Sequence, residues 1–296
     1  MTYQPDHRVA TFPGIKRAEL IKTLTLRHME LGNIRGKATI ASDYPAHYLE
    51  WVNESVRMLR FQLPSAEIDR LLLTSRYWAI QSAQGFESAM LTQTEIDERT
   101  VELGRTIEWL NATSLKWNST AGRLVVADSG FFCNHERKLR DIPFADLLEL
   151  REEPVRLMLP MVVLDELAGL TQHSNDHVRW RAGHTLGVLD ELLQRDGSGM
   201  LHDEDYAPLR NGGIPRGRVS LEVYFDPPRH RRLPINDDEI IDRALAIQGE
   251  AERDVTFWTF DTSQSTRARF RGLTVKKFSR DIGPEPARDP RPKRKP

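Results

Sequence analysis

A chain of 296 residues has room for two domains, and its 39% hydrophobic and 29% charged content describes a folded globular protein rather than a disordered one. The formal net charge of -1 excludes a global field toward nucleic acid or membrane, so a polyanion has to be held by a local basic patch. The single cysteine, Cys133, excludes an intrachain disulfide and a multi-cysteine zinc site, and no apolar stretch approaches the ~18 residues of a membrane span. The opening MTYQPDHRVA lacks the charged and apolar regions of a signal peptide, so the expected location is the cytoplasm.

Up to about residue 12 the chain is polar and proline-bearing. Ile15, Leu20, Leu24, Met29 and Leu31 then recur raggedly, which predicts one or two helices. Asp43 with Pro45 just inside marks a helix start, and Tyr48, Trp51, Val52, Val56 and Leu59 fall on one apolar face. After Pro64 and Ser65, the set Ile68, Leu71, Leu72, Tyr77 and Ile80 predicts a third helix. Thr92 and Glu95 have capping-box spacing and predict the start of a fourth, packing Ile96, Val101, Ile107, Leu110 and Trp117. Trp51, Trp78, Trp109 and Trp117 stand at helical spacing, so packing is the expected role rather than base stacking. Residues 1–120 therefore read as an all-helical domain whose role the pattern does not give.

At NSTAG, residues 118–122, the pattern changes to alternating strands and helices. A short apolar run at 124–127 predicts a buried strand. A short helix is expected within 139–150. A second strand at 158–163 leads into LDEL, 164–167, as a first helical turn. A long helix at about 176–193 turns Val178, Ala182, Leu186, Leu189 and Leu193 inward. Residues 197–217 read as an exposed loop and 219–225 as an added strand. Asn236 opens a helix with Ile240, Ile241, Ala244, Leu245 and Ile247 inward, and strands follow at 255–260 and 273–278. An α/β domain is thus expected over 121–283, with a disordered basic tail at 284–296.

Four acids occupy equivalent places in this alternation. Asp128 follows the first strand and Asp261 the late one, while Glu166 and Asp238 lie in the first turns of helices. Singly, each is well explained as a helix cap. If the sheet is parallel, all four gather at its carboxyl edge, where α/β sheets bind ligands. Clustered carboxylates repel, and a hard divalent cation such as Mg²⁺ or Mn²⁺ relieves that repulsion with oxygen ligands alone. No HExxH, GxSxG or GxxxxGK[ST] pattern offers another chemistry.

The strings VVADSGFF, VVLDEL, NDDEIIDRAL and VTFWTFD, within 123–132, 162–167, 236–245 and 255–261, resemble in order and context the four signature blocks of the PIN-domain nucleases. The resemblance covers the second half of the chain. It implies a PIN-like α/β/α sandwich with a central parallel sheet, preceded here by the all-helical domain. It further implies a metal-dependent endoribonuclease using Mg²⁺ or Mn²⁺, with Asp128, Glu166, Asp238 and Asp261 as catalytic metal ligands and Ser129 and Thr259 in support. Products would carry 5′-phosphate and 3′-hydroxyl ends. Asp165 and Asp237 leave an ambiguity of one residue. Glu166 and Asp238 are preferred because Leu167 and Ile240–Ile241 then fall where the family has them. Gly130 departs from the asparagine the family often has two residues after the first acid. Arg267, Arg269, Arg271, Arg229, Arg231 and Arg232 are the expected phosphate contacts for a single-stranded RNA substrate. A toxin of a toxin–antitoxin pair and an RNA-processing nuclease are both open, as are an antitoxin or other protein partner and a homodimer. The rival from another class is a non-catalytic RNA-binding or scaffolding module on the same fold. A haloacid-dehalogenase-type phosphatase is disfavoured because ADSGF has one acid where that class needs DxDx[TV].

Overall fold

The structure, a computed structural model, describes residues 7–37, 43–83 and 85–279. The tail expected at 284–296 lies outside them. The chain opens with helices α1 (Arg17–Lys37), α2 (Tyr44–Leu59), α3 (Ser65–Leu71), α4 (Ser75–Ser82) and α5 (Gly85–Ser119). Leu20, Leu24 and Leu31 of α1, Val52 and Leu59 of α2, and Leu103 and Leu110 of α5 close the first apolar core. Met29 and Val101, expected inside, are exposed, and so is Trp78; packing accounts for Trp51 and Trp117, and Trp109 packs half-buried on the first core. Among the described residues, no helix is long and apolar enough to cross a membrane.

Two boundaries in this unit differ from the periodicity. The helix expected from Ile68 to Ile80 is two helices, because Thr74 leaves helical geometry and caps α4, its hydroxyl accepting from the Tyr77 amide. The capping pair Thr92 and Glu95 lies inside α5: the Thr92 hydroxyl donates back to the Ser88 carbonyl at 2.7 Å. Glu95, 1% exposed, accepts from Thr74 Oγ1 at 2.6 Å and pairs with Arg76 and Arg99. A spacing that marks a helix start here serves a buried polar node between helices.

The second half continues with β1 (Arg123–Ala127), α6 (Ser129–Asn134), α7 (Phe144–Leu147), β2 (Val155–Pro160), α8 (Met161–Leu170), α9 (Asp176–Leu192), β3 (Ser198–His202), β4 (Val219–Tyr224), α10 (Asn236–Ala251), β5 (Val255–Thr259), α11 (Thr262–Phe270) and β6 (Thr274–Lys277). The sheet order is β3-β4-β2-β1-β5-β6, parallel throughout except for the antiparallel edge strand β3. Strands β2 and β5 are buried at every position, as a sheet covered on both faces requires. Helix α10 packs against β2, β5, α8 and α11, while α9 packs on α6, α8 and β3.

Two expectations are corrected here, and one helix stands where none was expected. The second strand ends at Pro160, so residues 161–163 open α8 and Glu166 stands in its second turn, not its first. The loop expected at 197–217 contains β3, short and poor in apolar residues; Gly199 is required there because a Cβ would lie 2.6 Å from the Leu192 carbonyl oxygen. Helix α11 has no apolar stripe and buries Gln264, Ser265 and Ala268 instead.

The two units meet closely. Helix α5 ends in the second core through Trp117, under the Arg156 guanidinium. Gly249 of α10 admits the chain before α1, where a Cβ would lie 2.5 Å from the Ile15 carbonyl oxygen. Arg17 pairs with Glu250 at 3.0 Å, and Arg229 pairs with the buried Glu67.

Helix α6, which follows Asp128, is held from below by Arg181. This guanidinium, 4% exposed, donates to the carbonyls of Phe132 at 3.0 Å and His135 at 2.9 Å, and also to that of Arg137. Arg181→Met keeps the stem but strips the donors from these acceptors, so a loss of about 3 kcal/mol is expected. Urea unfolding tests this as a lower midpoint at unchanged slope.

Candidate active site

Strands β1, β2 and β5 run parallel, so the segments that leave them emerge at one edge. Asp128 leaves β1 there, tied by its own amide to the Trp258 carbonyl of β5 at 3.1 Å. Its carboxylate caps α6, accepting from the Phe131 amide at 2.6 Å through Oδ1 and from the Thr259 hydroxyl at 2.7 Å through Oδ2. Asp128 is 7% exposed. Burial pushes its pKa up to about 7; the bonds from Thr259 and Phe131 oppose this, and the charges of Asp237 and Glu166 add to it. Gly130 leaves the space beside this carboxylate open, since a Cβ there would lie 3.3 Å from Oδ2.

The remaining acids are held from neighbouring elements. Ser129 donates to Glu166 Oε2 at 2.7 Å, joining α6 to α8. Asp261 caps α11, accepting from the Gln264 amide at 2.6 Å, and its own amide donates to Thr259 Oγ1 at 2.9 Å. Thr259, fully buried at the end of β5, thus joins the first and last acids. At the start of α10, Arg267 binds both neighbours, Asp238 at 2.8 Å and Asp237 at 3.0 Å. Asp237 also receives Gln264 Nε2, at 3.3 Å, and its charge adds to the upward push on Asp128.

Four of the six arginines expected to contact phosphate are engaged with acids of the chain itself. Arg267 holds Asp237 and Asp238, Arg271 holds Asp242 at 3.1 Å, Arg232 bridges Asp226 and Asp165, and Arg229 holds Glu67. Arg231 and Arg269 are exposed and stand outside these pairs.

Among the described residues, the group that brings three ligand atoms within 4.8 Å of one another is Asp226, His230 and Glu239, beside the acids on α10. Its charge is already balanced: Glu239 takes His230 Nε2 at 2.7 Å, the Leu233 amide at 2.8 Å and Arg243, while Asp226 takes Arg232. The acids around Asp128 are more widely spread. A hard cation that keeps several waters needs only one or two direct carboxylates. The donor set fits such an ion, since it is all oxygen and its charges raise the proton affinity of Asp128.

Asp237 was the one-residue alternative to the preferred Asp238, whereas Gln264, on a helix with no apolar periodicity, escaped the sequence pattern. A glutamine three residues after a capping aspartate was the available signal for it.

A family model of the PIN domain matches residues 126–279, slightly more than half of the chain, and this span contains Asp128, Glu166, Asp237, Asp238 and Asp261. No curated protein matches the chain. Domains of this family are generally nucleases and typically use divalent metals. With a mostly parallel sheet flanked by helices and acids gathered at its carboxyl edge, the chain belongs to the PIN-domain family.

Proposed function

We propose that the protein is a metal-dependent endoribonuclease whose site is built on Asp128, Glu166, Asp237 and Asp261, with Asp238 beside them. The observation that carries this reading is Asp128: a buried carboxylate, fixed through both oxygens, facing the charges of Asp237 and Glu166. Mg²⁺ or Mn²⁺ bound there would supply a Lewis acid for the scissile phosphate and lower the pKa of the attacking water. The protein's own part is orientation. Ser129 fixes Glu166, Thr259 fixes Asp128, and the Gln264 amide fixes Asp261. The exposed Arg231 and Arg269 are the first candidates for RNA phosphates, and their contacts would weaken with salt.

A non-catalytic RNA-binding module is the second reading. It is favoured by Arg267, whose guanidinium already neutralises Asp237 and Asp238.

Cleavage of a single-stranded RNA in Mn²⁺ separates the two. Asp237→Asn is expected to lower kcat on the order of 100-fold or more. Asp238→Asn should have a much smaller effect. Equal rates for wild type and Asp237→Asn contradict the nuclease site as drawn, and a wild type that binds RNA without cutting it in either metal supports the second reading.

A further inference from the structure

Gln264 is fully buried in the first turn of α11, three residues after the capping Asp261. In a capping box the side chain at this position ordinarily folds back to the amide of the cap residue. Here that amide is already taken by Thr259 Oγ1 at 2.9 Å. The glutamine therefore reaches inward, with Oε1 at 2.8 Å from Thr259 Oγ1 and Nε2 at 3.3 Å from Asp237 Oδ1. A carboxylate only accepts, so the NH₂ end faces Asp237, and the carbonyl end then shares the single Thr259 hydroxyl proton with Asp128 Oδ2. One residue thus meets three of the acid positions. Its main-chain N–H holds Asp261, its carbonyl reaches Asp128 through Thr259, and its NH₂ holds Asp237.

We propose that Gln264 is a positioning residue of the metal site, setting Asp237 in register with Asp128 and Asp261. The inference rests on the nuclease reading and specifies it. Arg267 pulls Asp237 toward Asp238, and the Gln264 NH₂ is the opposing neutral donor. Without it, Asp237 would be held from this side by Arg267 alone and would be less well oriented toward a bound ion. A donor that orients a ligand without touching the metal belongs to the outer shell, whose loss typically costs 10–100-fold in metal affinity.

The test is Mn²⁺ titration by calorimetry of the full-length protein, with steady-state cleavage of a single-stranded RNA alongside. Gln264→Met keeps the volume and removes both hydrogen bonds. Gln264→Asn keeps an amide but is one methylene short of spanning Thr259 and Asp237, so it serves if the methionine variant does not fold. Each folded variant should bind Mn²⁺ about 10-fold or more weakly, and kcat should fall at subsaturating metal while the KM for RNA holds. Asp128→Asn and Asp237→Asn are titrated in parallel. If they lose Mn²⁺ binding while the Gln264 variants stay within about 2-fold of wild type, a range far below the outer-shell effect, the inference is wrong and the site stands. If the aspartate variants also bind like the wild type, the metal site itself is wrong and the inference goes with it.

Discussion

Asp128→Asn is expected to stabilise the metal-free protein at pH 8, to leave it nearly unchanged at pH 4, and to abolish metal-dependent cleavage at any pH. The folded-state pKa of Asp128 is raised from 3.8 to about 7, chiefly by burial. Below pH 4 the carboxyl is protonated both folded and unfolded and costs nothing. Between about pH 4 and 7 the folded chain keeps a proton that the unfolded chain has released, so stability falls as pH rises through this window. Above it the full penalty is present, on the order of 4 kcal/mol for a shift of this size. Asparagine carries no such penalty. Its carbonyl can still cap the Phe131 amide, although the bond from Thr259 has to rearrange. A net gain of about 1–3 kcal/mol at pH 8 is therefore expected, read as a higher midpoint in urea. A variant destabilised at pH 8 in the absence of metal would show that the carboxylate is held by more favourable contacts than its burial opposes.

The second large effect concerns the junction between the helical unit and the segment that leads into α10. Glu67, 1% exposed, accepts from the Ala10 amide at 3.2 Å and pairs with Arg70 and Arg229. Arg229 sits at a φ of 64°, in the left-handed region, within the segment between Tyr224 of β4 and Asn236 of α10. Glu67→Ala strips a buried amide of its acceptor and removes this carboxylate from Arg229, while Arg70 keeps its pair with Glu102. Loss of one side of a buried pair costs about 3–5 kcal/mol. The partial exposure of Arg229 and Arg70 places the expected value near 3 kcal/mol. Faster amide exchange across residues 225–235 should accompany it. A double-mutant cycle with Arg229→Met should give a coupling above ~1 kcal/mol. A coupling near zero would make Glu67–Arg229 an ordinary surface pair, with no hold on the segment ahead of Asp237.

The parts of the fold that sequence shows best are those where burial and periodicity coincide. Residues 124–127 form an apolar run because both faces of β1 are covered, and Asp128 follows it directly. Asn236 and the isoleucines of α10 mark that helix for the same reason. Residues 161–163 misled because Met-Val-Val is as apolar as the strand before it, and only Pro160 divides the two. Helix α11 was invisible because its core contacts are Gln264, Ser265 and Ala268, which carry no hydrophobic stripe.

The site was legible as a set of acids but not in its detail. Adjacent residues on a helix point about 100° apart, so Asp237 and Asp238 cannot both face Asp128, and spacing to Ile240 does not decide between them. Asp237 is proposed instead for its bond from Gln264 and its charge beside Asp128. The arginines show the same limit: a sequence gives the positive charge but not the carboxylate that occupies it, as Arg267 and Arg232 do with acids of their own chain.

The most direct test of the metal site is anomalous scattering at the manganese edge from crystals of the wild type soaked in Mn²⁺. A peak bounded by the carboxylates of Asp128, Glu166, Asp237 and Asp261, and absent from Asp128→Asn crystals, is the predicted result. Manganese found only between Asp226, His230 and Glu239, or RNA cleavage that persists with no ordered ion beside Asp128, would contradict it.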